Sequence, residues 1–368
     1  MISGGGTGGH VYPILAVVEA LQSQVAGCRF LYVGSRGGVE EGIASRAGLP
    51  FTAIPTGGLR GLAPWTVAGH LFKMMAGFVQ SLGIVRDFSP DVVLVTGGYV
   101  CAPVAVAAWL RRVPLLVLLP DLEPGLAVRA LSRLAKRVAV SFPEVAGYFA
   151  KSKVVTAGYP VRAELFAADR AEGRKGSPRK AFGLEEGVKT ITVFGGSRGA
   201  HSINLALSQC LERLLEVGQV IHICGPLDAG WVMERRTQLP DQLRSRYRAY
   251  AYLHEEMPGA LAAADLAVAR AGAATLGEFP ALGLPSILVP YPYAGQHQEL
   301  NADYLVSRGA AVKIADAELG EKLLPTILDL LNDEAALAEM SERARALARP
   351  DAARRVAQEL RQLVIHRD

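Results

Sequence analysis

The chain has 368 residues, half of them hydrophobic and a fifth charged, with a formal net charge of +4. This length exceeds one typical core and predicts two domains. The mild positive charge suits either anionic partners or a solvated basic surface, and no basic tract with interleaved aromatic residues indicates nucleic-acid binding. Four cysteines without C-x-x-C or zinc-ligand spacing indicate buried thiols in a reducing compartment rather than a disulfide framework; they are Cys28, Cys101, Cys210 and Cys224.

Short apolar runs alternate with helical stretches through the first half of the chain. This βαβ rhythm predicts a doubly wound parallel sheet. The predicted strands are Phe30–Val33, Phe51–Ile54, Val92–Val95, Leu115–Leu119, Val138–Val140 and Val154–Thr156. Residues 92–110 carry no charge, but Gly97, Gly98 and Pro103 divide them into a strand, a turn and a short helix, which argues against a membrane span.

The second half repeats the same rhythm beyond a basic stretch from Arg170 to Lys180. Its predicted strands are Thr190–Phe194, Val220–Ile223, Ala249–Tyr252, Leu266–Ala269, Ser286–Val289 and Ala311–Ile314. A last helix, Ala352–Ile365, follows Asp351, which is a candidate N-cap. We therefore expect domains at residues 1–160 and 161–349, with the helix in residues 350–368 packing back on the first domain.

Two glycine-rich turns lie nearly two hundred residues apart, at residues 3–10 and 194–200. Each follows a predicted strand and opens a helix, where backbone N–H groups can approach an anion. The pair of turns predicts an α/β protein with two Rossmann-like domains that face each other across a cleft. Such an arrangement suits a nucleotide-sugar donor on one side and an acceptor on the other.

The first turn also matches the G-x-G-x-x-G fingerprint through Gly4, Gly6 and Gly9. A dehydrogenase would carry an acidic residue at the end of the second strand, to hold the ribose of the dinucleotide. No acid stands there. Arg36 suits NADP, so a dehydrogenase remains an alternative at this point.

His10 closes the first turn at the start of a helix. An imidazole in that position can take a proton from an attacking hydroxyl group. The alternative is a structural histidine that hydrogen-bonds the turn.

The segment from Gly4 to Pro13 resembles the opening loop of the MurG family of peptidoglycan glycosyltransferases. These enzymes move N-acetylglucosamine from its UDP donor to the muramyl-pentapeptide pyrophosphoryl-undecaprenol lipid. Further motifs in the same order carry the resemblance over almost the whole chain: Gly97–Val100, Gly158–Arg162, Gly195–Ala200 with Asn204, Arg270–Glu278, and Gln296–Gln298 with Asn301. The resemblance implies a GT-B fold, an acceptor domain followed by a donor domain, and an inverting mechanism without a metal or cofactor.

The resemblance also assigns site residues. Ser197 would contact the donor phosphate, and Leu253 would present its backbone to the uracil. Glu278 would take the ribose hydroxyls, or else stand as an ordinary acid at a helix N-terminus. The full set of donor-binding candidates is Thr7, Gly8, Gly9, Asp121, Arg162, Ser197, Leu253, Ala273, Ala274, Thr275, Leu276, Gly277, Glu278 and Gln298.

One of these candidates rests on the chemistry of the groups involved. A cation such as Arg162 can stabilise the charge that grows on a departing UDP. The resemblance further implies that Gln298, with Ala273 to Gly277 beside it, would hold the sugar, although Gln298 and Asn301 also fit the plain start of a helix.

Two motifs depart from the family, one of them only at Tyr159, where its members carry asparagine. Where its members carry His-Glu-Gln-Asn, this chain reads Leu118-Leu119-Pro120-Asp121. The loss of the histidine and the glutamate puts the acceptor in doubt. Asp121 follows a strand and joins His10 as a candidate catalytic base, with an ordinary surface loop as the alternative.

Residues 59–86 are apolar with basic residues among them. The resemblance implies that this region rests on the cytoplasmic face of the cell membrane as a peripheral contact. The alternative is packing on the core of the first domain, and we expect some of these side chains to be exposed. They are Leu62, Trp65, Leu71, Phe72, Met74, Met75, Phe78 and Ile84, with Arg60, Lys73 and Arg86.

The sequence thus predicts an inverting transferase of N-acetylglucosamine from UDP-N-acetylglucosamine to the undecaprenyl-linked muramyl-pentapeptide. Three alternatives remain open: a related transferase with another lipid or small acceptor, a UDP-N-acetylglucosamine 2-epimerase, and a non-catalytic UDP-sugar-binding paralogue. No cofactor, metal or nucleic acid is expected.

Overall fold

The computed structural model describes residues 1–57, 64–170, 176–292 and 297–365, without side chains at 64–68 and 168–170. Arg60, Leu62 and the side chain of Trp65 lie outside this description. The chain divides into a first unit, Met1–Arg162 with Arg349–Asp368, and a second unit, Ala163–Ala348.

The first unit is built on seven parallel strands in the order β3-β2-β1-β4-β5-β6-β7. The strands are β1 Ile2–Ser3, β2 Tyr32–Ser35, β3 Phe51–Ile54, β4 Val93–Val95, β5 Leu115–Leu119, β6 Arg137–Val140 and β7 Val154–Thr156. The helices are α1 Gly8–Gln24, α2 Val39–Arg46, α3 Pro64–Phe88, α4 Cys101–Leu110 and α5 Leu126–Leu134, with a 3-10 helix at Pro143–Tyr148. β5 is buried throughout, as expected of a central parallel strand that helices cover on both faces.

The second unit repeats the architecture with six parallel strands in the order β10-β9-β8-β11-β12-β13. The strands are β8 Thr190–Phe194, β9 Gln219–Ile223, β10 Tyr247–Tyr250, β11 Leu266–Ala269, β12 Ser286–Leu288 and β13 Ala311–Lys313. The helices are α6 Ala163–Arg170, α7 Gly176–Ala181, α8 His201–Val217, α9 Ala229–Thr237, α10 Asp241–Arg244, α11 Met257–Ala263, α12 Thr275–Leu282, α13 His297–Val306, α14 Leu319–Asn332 and α15 Glu334–Leu347, with a 3-10 helix at Asp316–Glu318.

The structure confirms the predicted α/β class and its two doubly wound sheets. β10 begins two residues before its predicted start, because Tyr247 is buried in the core and pairs with Val220 of β9. The last helix, α16 Ala352–Ile365, packs on α1 of the first unit through the buried Val356 and Leu360.

The uncharged stretch at residues 92–110 forms β4, a turn and α4. Across the described residues, every helix is too short or too polar to cross a bilayer.

In each sheet the strand order reverses beside the first strand. β1 pairs with both β2 and β4, and β8 pairs with both β9 and β11. Loops that follow neighbouring parallel strands meet at the same edge of the sheet, and the reversal point is where such folds bind ligands. Each glycine turn therefore lies beside the loop that follows the fourth strand of its own sheet.

The second glycine turn is held by a close backbone contact. A Cβ atom at Gly199 would lie 2.2 Å from the carbonyl oxygen of Cys224, and one at Gly225 would lie 2.5 Å from the Cα of Gly199. Gly199 also has φ +80°, in the region that favours glycine. This contact fixes the start of α8 against the loop after β9.

Gly199→Ala is expected to lower the free energy of unfolding by about 2 kcal/mol, because the new methyl group meets both a strained φ and a backbone oxygen. Urea unfolding of the full chain, followed by circular dichroism, measures the change. The matched control is Gly230→Ala in α9, where nothing lies within 4 Å of the new Cβ; it should stabilise by about 0.5–1 kcal/mol. Equal effects of the two variants would contradict the packing argument.

Candidate active site

In the first unit, the turn after β1 and the loop after β5 bring Thr7, His10 and Asp121 together. His10 lies in the first turn of α1, and Asp121 follows β5. His10 Nε2 lies 3.6 Å from Asp121 Oδ2, and the two side chains are 24% and 22% exposed. His10 Nδ1 lies 3.3 Å from Thr7 Oγ1. Both imidazole nitrogens therefore have a polar neighbour, while part of the ring stays open to a ligand.

The loop after β4 completes the surroundings of His10. The hydroxyl of Thr96 donates a hydrogen bond of 2.8 Å to the carbonyl of His10. A Cβ atom at Gly97 would lie 3.1 Å from His10 Nε2, and Gly97 has φ +138°. Because Gly97 has no side chain, the space beside His10 Nε2, the nitrogen that faces Asp121, stays open.

The pKa of His10 is raised above its ordinary value. Burial of the ring lowers the pKa, but it is outweighed by the hydrogen bond and charge of Asp121, by the carbonyl of Gly5 and by the charge of Glu40. A carboxylate beside an imidazole stabilises the imidazolium form, which is the state reached once the ring has accepted a proton. The pair is thus suited to remove a proton from a hydroxyl group.

Most residues at the altered family motif, Leu118–Asp121, lie in the core of the first unit. Leu118 and Leu119 are fully buried and pack into the core clusters on either side of the sheet. Of the four positions in Leu118–Asp121, only Asp121 is partly exposed. The change from histidine and glutamate to two leucines therefore alters the strand interior in this chain, and Asp121 is the group left facing a ligand.

The remaining first-unit candidates surround the start of α1. A Cβ atom at Gly8 would lie 3.1 Å from the ring of Tyr12. The hydroxyl of Tyr159 donates a hydrogen bond of 3.4 Å to the carbonyl of Gly9. The guanidinium of Arg162 lies 5.0 Å from the centre of the Tyr12 ring. Arg162, the last residue of the first unit, is thus positioned by α1.

The sequence pattern does not point to Glu40. A ribose-binding acid would stand at the end of β2, and Glu40 lies five residues beyond Ser35, the last residue of that strand. In the structure this side chain turns back from α2, and Oε1 accepts a hydrogen bond of 2.8 Å from the backbone N–H of Ser35. Glu40 is fully buried and packs against the first glycine turn at Gly5.

In the second unit, Ser197 lies half-buried in the glycine turn that opens α8. The turn is tied down by Asn204, which is fully buried. Its side-chain nitrogen donates to the carbonyl of Cys224 at 2.8 Å, and its oxygen lies 2.9 Å from His222 Nε2. The N–H groups at the start of α8 are therefore held in place for an anionic ligand.

Arg270 joins four of the loops at the edge of the second sheet. It follows β11 and contacts Asp316, beyond β13, at 2.5 Å. Its guanidinium also donates to the hydroxyl of Ser202 in α8 at 2.8 Å and to the carbonyl of Val289, after β12, at 3.3 Å. The sequence contains Arg270 in a family motif, but only the fold shows what it connects.

The segment Ala273–Glu278 forms a tight turn into α12. Ala273, Ala274 and Glu278 are partly exposed at the start of this helix. Thr275 instead uses its hydroxyl to bind the carbonyl of Gly272 at 2.7 Å. Leu276 and Gly277 are also buried, so these three residues form the packed side of the turn.

Gln298 and Asn301 both hold loops in the structure. The side-chain oxygen of Gln298 accepts a hydrogen bond of 2.9 Å from the N–H of Tyr291. The buried Asn301 donates to the carbonyl of Ala271 at 3.0 Å. Leu253 lies after β10 with its side chain buried, so only its backbone is suited to contact a base.

Among the residues that the structure describes, no three His, Cys, Asp or Glu side chains are grouped to hold a metal ion. The first unit offers an imidazole with a carboxylate, which can move a proton. The second offers helix N–H groups at a glycine turn and a partly exposed carboxylate on α12. These are groups suited to a phosphate and to a diol.

Comparison with known proteins places this geometry in a family. Residues 1–140 match the glycosyltransferase family 28 N-terminal domain, and residues 190–356 match the glycosyltransferase family 28 C-terminal domain. A relative from Roseiflexus sp. is named UDP-N-acetylglucosamine–N-acetylmuramyl-(pentapeptide) pyrophosphoryl-undecaprenol N-acetylglucosamine transferase. It is 42% identical over 99% of this chain and 94% of its own length.

Solved structures agree with this placement. The crystal structure of Acinetobacter baumannii MurG matches with a TM-score of 0.73 at 29% identity, over 98% of this chain and 99% of its own. A UDP-N-acetylglucosamine 2-epimerase structure matches with a TM-score of 0.66 at 13% identity, over 100% and 96% of the two chains, which shows a shared fold alone. Because both family 28 domains match in order and a relative of that name is 42% identical over nearly the whole chain, the chain belongs to the MurG family of glycosyltransferases.

Proposed function

We propose that this protein transfers N-acetylglucosamine from UDP-N-acetylglucosamine to the muramyl-pentapeptide pyrophosphoryl-undecaprenol lipid of peptidoglycan synthesis. The observation that carries the proposal is the similarity over nearly the full chain to a relative named for this reaction. The site chemistry supports it, because the two units supply the groups that such a transfer requires.

The second unit is proposed to hold the donor. The N-terminus of α8 and Ser197 would take the diphosphate, whose charge grows as the sugar leaves. Glu278, partly exposed in the first turn of α12, would accept hydrogen bonds from the ribose hydroxyls. Ala273, Ala274 and the amide group of Gln298 would contact the sugar, and the backbone at Leu253 the uracil.

The first unit is proposed to activate the acceptor. His10 takes the proton of the attacking hydroxyl, and Asp121 stabilises the imidazolium that forms. The hydroxyl oxygen bonds to the anomeric carbon as the bond to UDP breaks, with its electron pair leaving on UDP. A single displacement of this kind inverts the anomeric configuration. Thr7, Gly8 and Gly9 form the turn that holds His10, and Arg162 supplies a cation for the departing diphosphate.

The altered motif does not favour a different acceptor. Leu118 and Leu119 are buried in β5, so the substitution changes the core rather than an exposed acceptor surface. The site retains an imidazole with a carboxylate at Asp121. We therefore keep the undecaprenyl-linked acceptor in the proposal.

A surface of the first unit supports peripheral contact with the cytoplasmic face of the cell membrane. On α3 the apolar side chains of Leu71, Phe72, Met75 and Val79 are exposed, Phe72 by 77%, with Lys73 among them. Apolar side chains with adjacent cations are the combination that binds an anionic lipid surface.

Acceptor-dependent release of UDP tests the function. The full chain should release UDP from UDP-N-acetylglucosamine only when a soluble analogue of the muramyl-pentapeptide lipid is present, and the product should carry the inverted linkage. Epimerised donor without acceptor would identify an epimerase, and tight donor binding without turnover would identify a non-catalytic paralogue. Either result would overturn the proposal.

His10→Ala should lower kcat by about 10²–10⁴, the usual contribution of a general base. Asp121→Asn should lower it less and should also change the pH profile. Since the base must be neutral, kcat/KM falls as the pH drops through the pKa of His10. Asp121 raises that pKa, so its removal should move the acidic limb to lower pH. Activity near wild type in both variants would eliminate both residues.

Membrane contact is tested by sedimentation with vesicles of phosphatidylglycerol and phosphatidylcholine. Leu71→Ser, Phe72→Ser and Met75→Ser combined should lower binding by at least tenfold, because each buried apolar side chain contributes about 1.5–3 kcal/mol. Val217→Ser, at a 52% exposed position on α8 of the second unit, is the matched control and should bind like wild type. Unchanged binding of the triple variant would refute this surface.

A further inference from the structure

Glu40 is a fully buried carboxylate directly behind the glycine turn that carries His10. Three glycines make room for it. A Cβ atom would lie 2.7 Å from Glu40 Oε1 if placed at Gly5, 2.8 Å from its Cγ at Gly34, and 2.5 Å from both carboxylate oxygens at Gly38. Any side chain at these positions would displace the carboxylate, so the fold is shaped around it.

The hydrogen bonds of Glu40 satisfy only one of its oxygens. Oε1 accepts from the backbone N–H of Ser35 at 2.8 Å and from the Ser35 hydroxyl. Oε2 is buried and has no hydrogen-bond partner among the described residues. A buried carboxylate oxygen without a partner costs free energy that an apolar side chain would avoid. Such a group calls for a role beyond packing.

The negative charge of Glu40 acts on His10 from the other side of the glycine turn. Two charged groups raise the pKa of His10, Asp121 with the larger effect and Glu40 with the smaller. The other polar neighbours of the ring are the hydroxyl of Thr7 and the carbonyl of Gly5. Around Glu40 itself, its charge also raises the pKa of the buried Tyr32 and, by a minor share, that of Cys101.

We propose that Glu40 is a positioning residue of the transfer reaction, which holds the glycine turn in place through Gly5 and strengthens His10 as a base from behind. This inference rests on the proposed function, in which the acceptor proton passes to His10. It adds a second carboxylate to the catalytic arrangement, one that touches neither substrate.

The test is Glu40→Gln in the full chain, which keeps the shape and removes the charge. With UDP-N-acetylglucosamine and the soluble acceptor analogue, kcat should fall about tenfold, less than the 10²–10⁴ expected for loss of the base itself. The acidic limb of kcat/KM should move to lower pH, because a charge that raises the pKa of His10 has been removed. KM for UDP-N-acetylglucosamine should stay within about twofold of wild type.

Two variants separate charge from packing. Ser35→Ala removes the hydroxyl hydrogen bond but keeps the carboxylate, and should leave the acidic limb unchanged. Glu40→Asp keeps a negative charge. The acidic limb of its kcat/KM profile should therefore stay close to the wild-type pH, even if the variant unfolds at a lower temperature. A lowered midpoint with an unmoved limb in Glu40→Gln would overturn the proposal and leave Glu40 a purely structural residue.

A titration of the His10 imidazole by NMR needs no turnover, and it distinguishes this inference from the function itself. A lower pKa of His10 in Glu40→Gln than in wild type is expected. If the wild type shows no acceptor-dependent UDP release, the proposed function is refuted, but the effect of Glu40 on the pKa of His10 can still be measured. If the pKa of His10 is the same in Glu40→Gln and in wild type, the inference about Glu40 is refuted whatever the activity. If Glu40→Gln does not fold, Glu40→Met takes its place as a second uncharged variant of similar length; a lowered His10 pKa in it supports the inference, and a pKa equal to that of the wild type refutes it.

Discussion

The first-unit site depends on a close backbone contact between the glycine turn after β1 and the loop after β4. The N–H of Gly5 donates to the carbonyl of Gly97 at 3.2 Å, and a Cβ atom at Gly98 would lie 2.6 Å from the carbonyl oxygen of Gly5. Larger residues would force the two loops apart. His10 belongs to one of these loops and borders the other, so its position relative to Asp121 follows from that contact.

The same kind of turn has different charged neighbours in the two units. In the first, the carboxylates of Asp121 and Glu40 raise the pKa of the His10 imidazole. In the second, the turn at Ser197 opens α8, and Arg270 ties the surrounding segments together. The similar sequence patterns predict the same local shape, whereas the fold of each unit decides which charged groups lie beside the turn.

The altered family motif shows how burial changes the meaning of a substitution. Along the chain, the loss of histidine and glutamate puts the identity of the acceptor in doubt. In the fold, Leu118 and Leu119 lie in the interior of β5, and only Asp121 is partly exposed. Loss of a polar pair from a buried strand is a change of core composition, and it leaves Asp121 partly exposed beside His10 at the end of that strand.

Much of this protein was readable from its sequence. The apolar runs and glycine turns determined the α/β class and most strand positions, because parallel strands covered on both faces are continuous apolar segments. The motifs around His10, Ser197 and Glu278 determined the family. The 3.6 Å separation of His10 from Asp121, the links made by Arg270 and the burial of Glu40 were decided by tertiary structure. These depend on which strands become neighbours, and contacts between segments that are separate in the sequence leave no local signal in the chain.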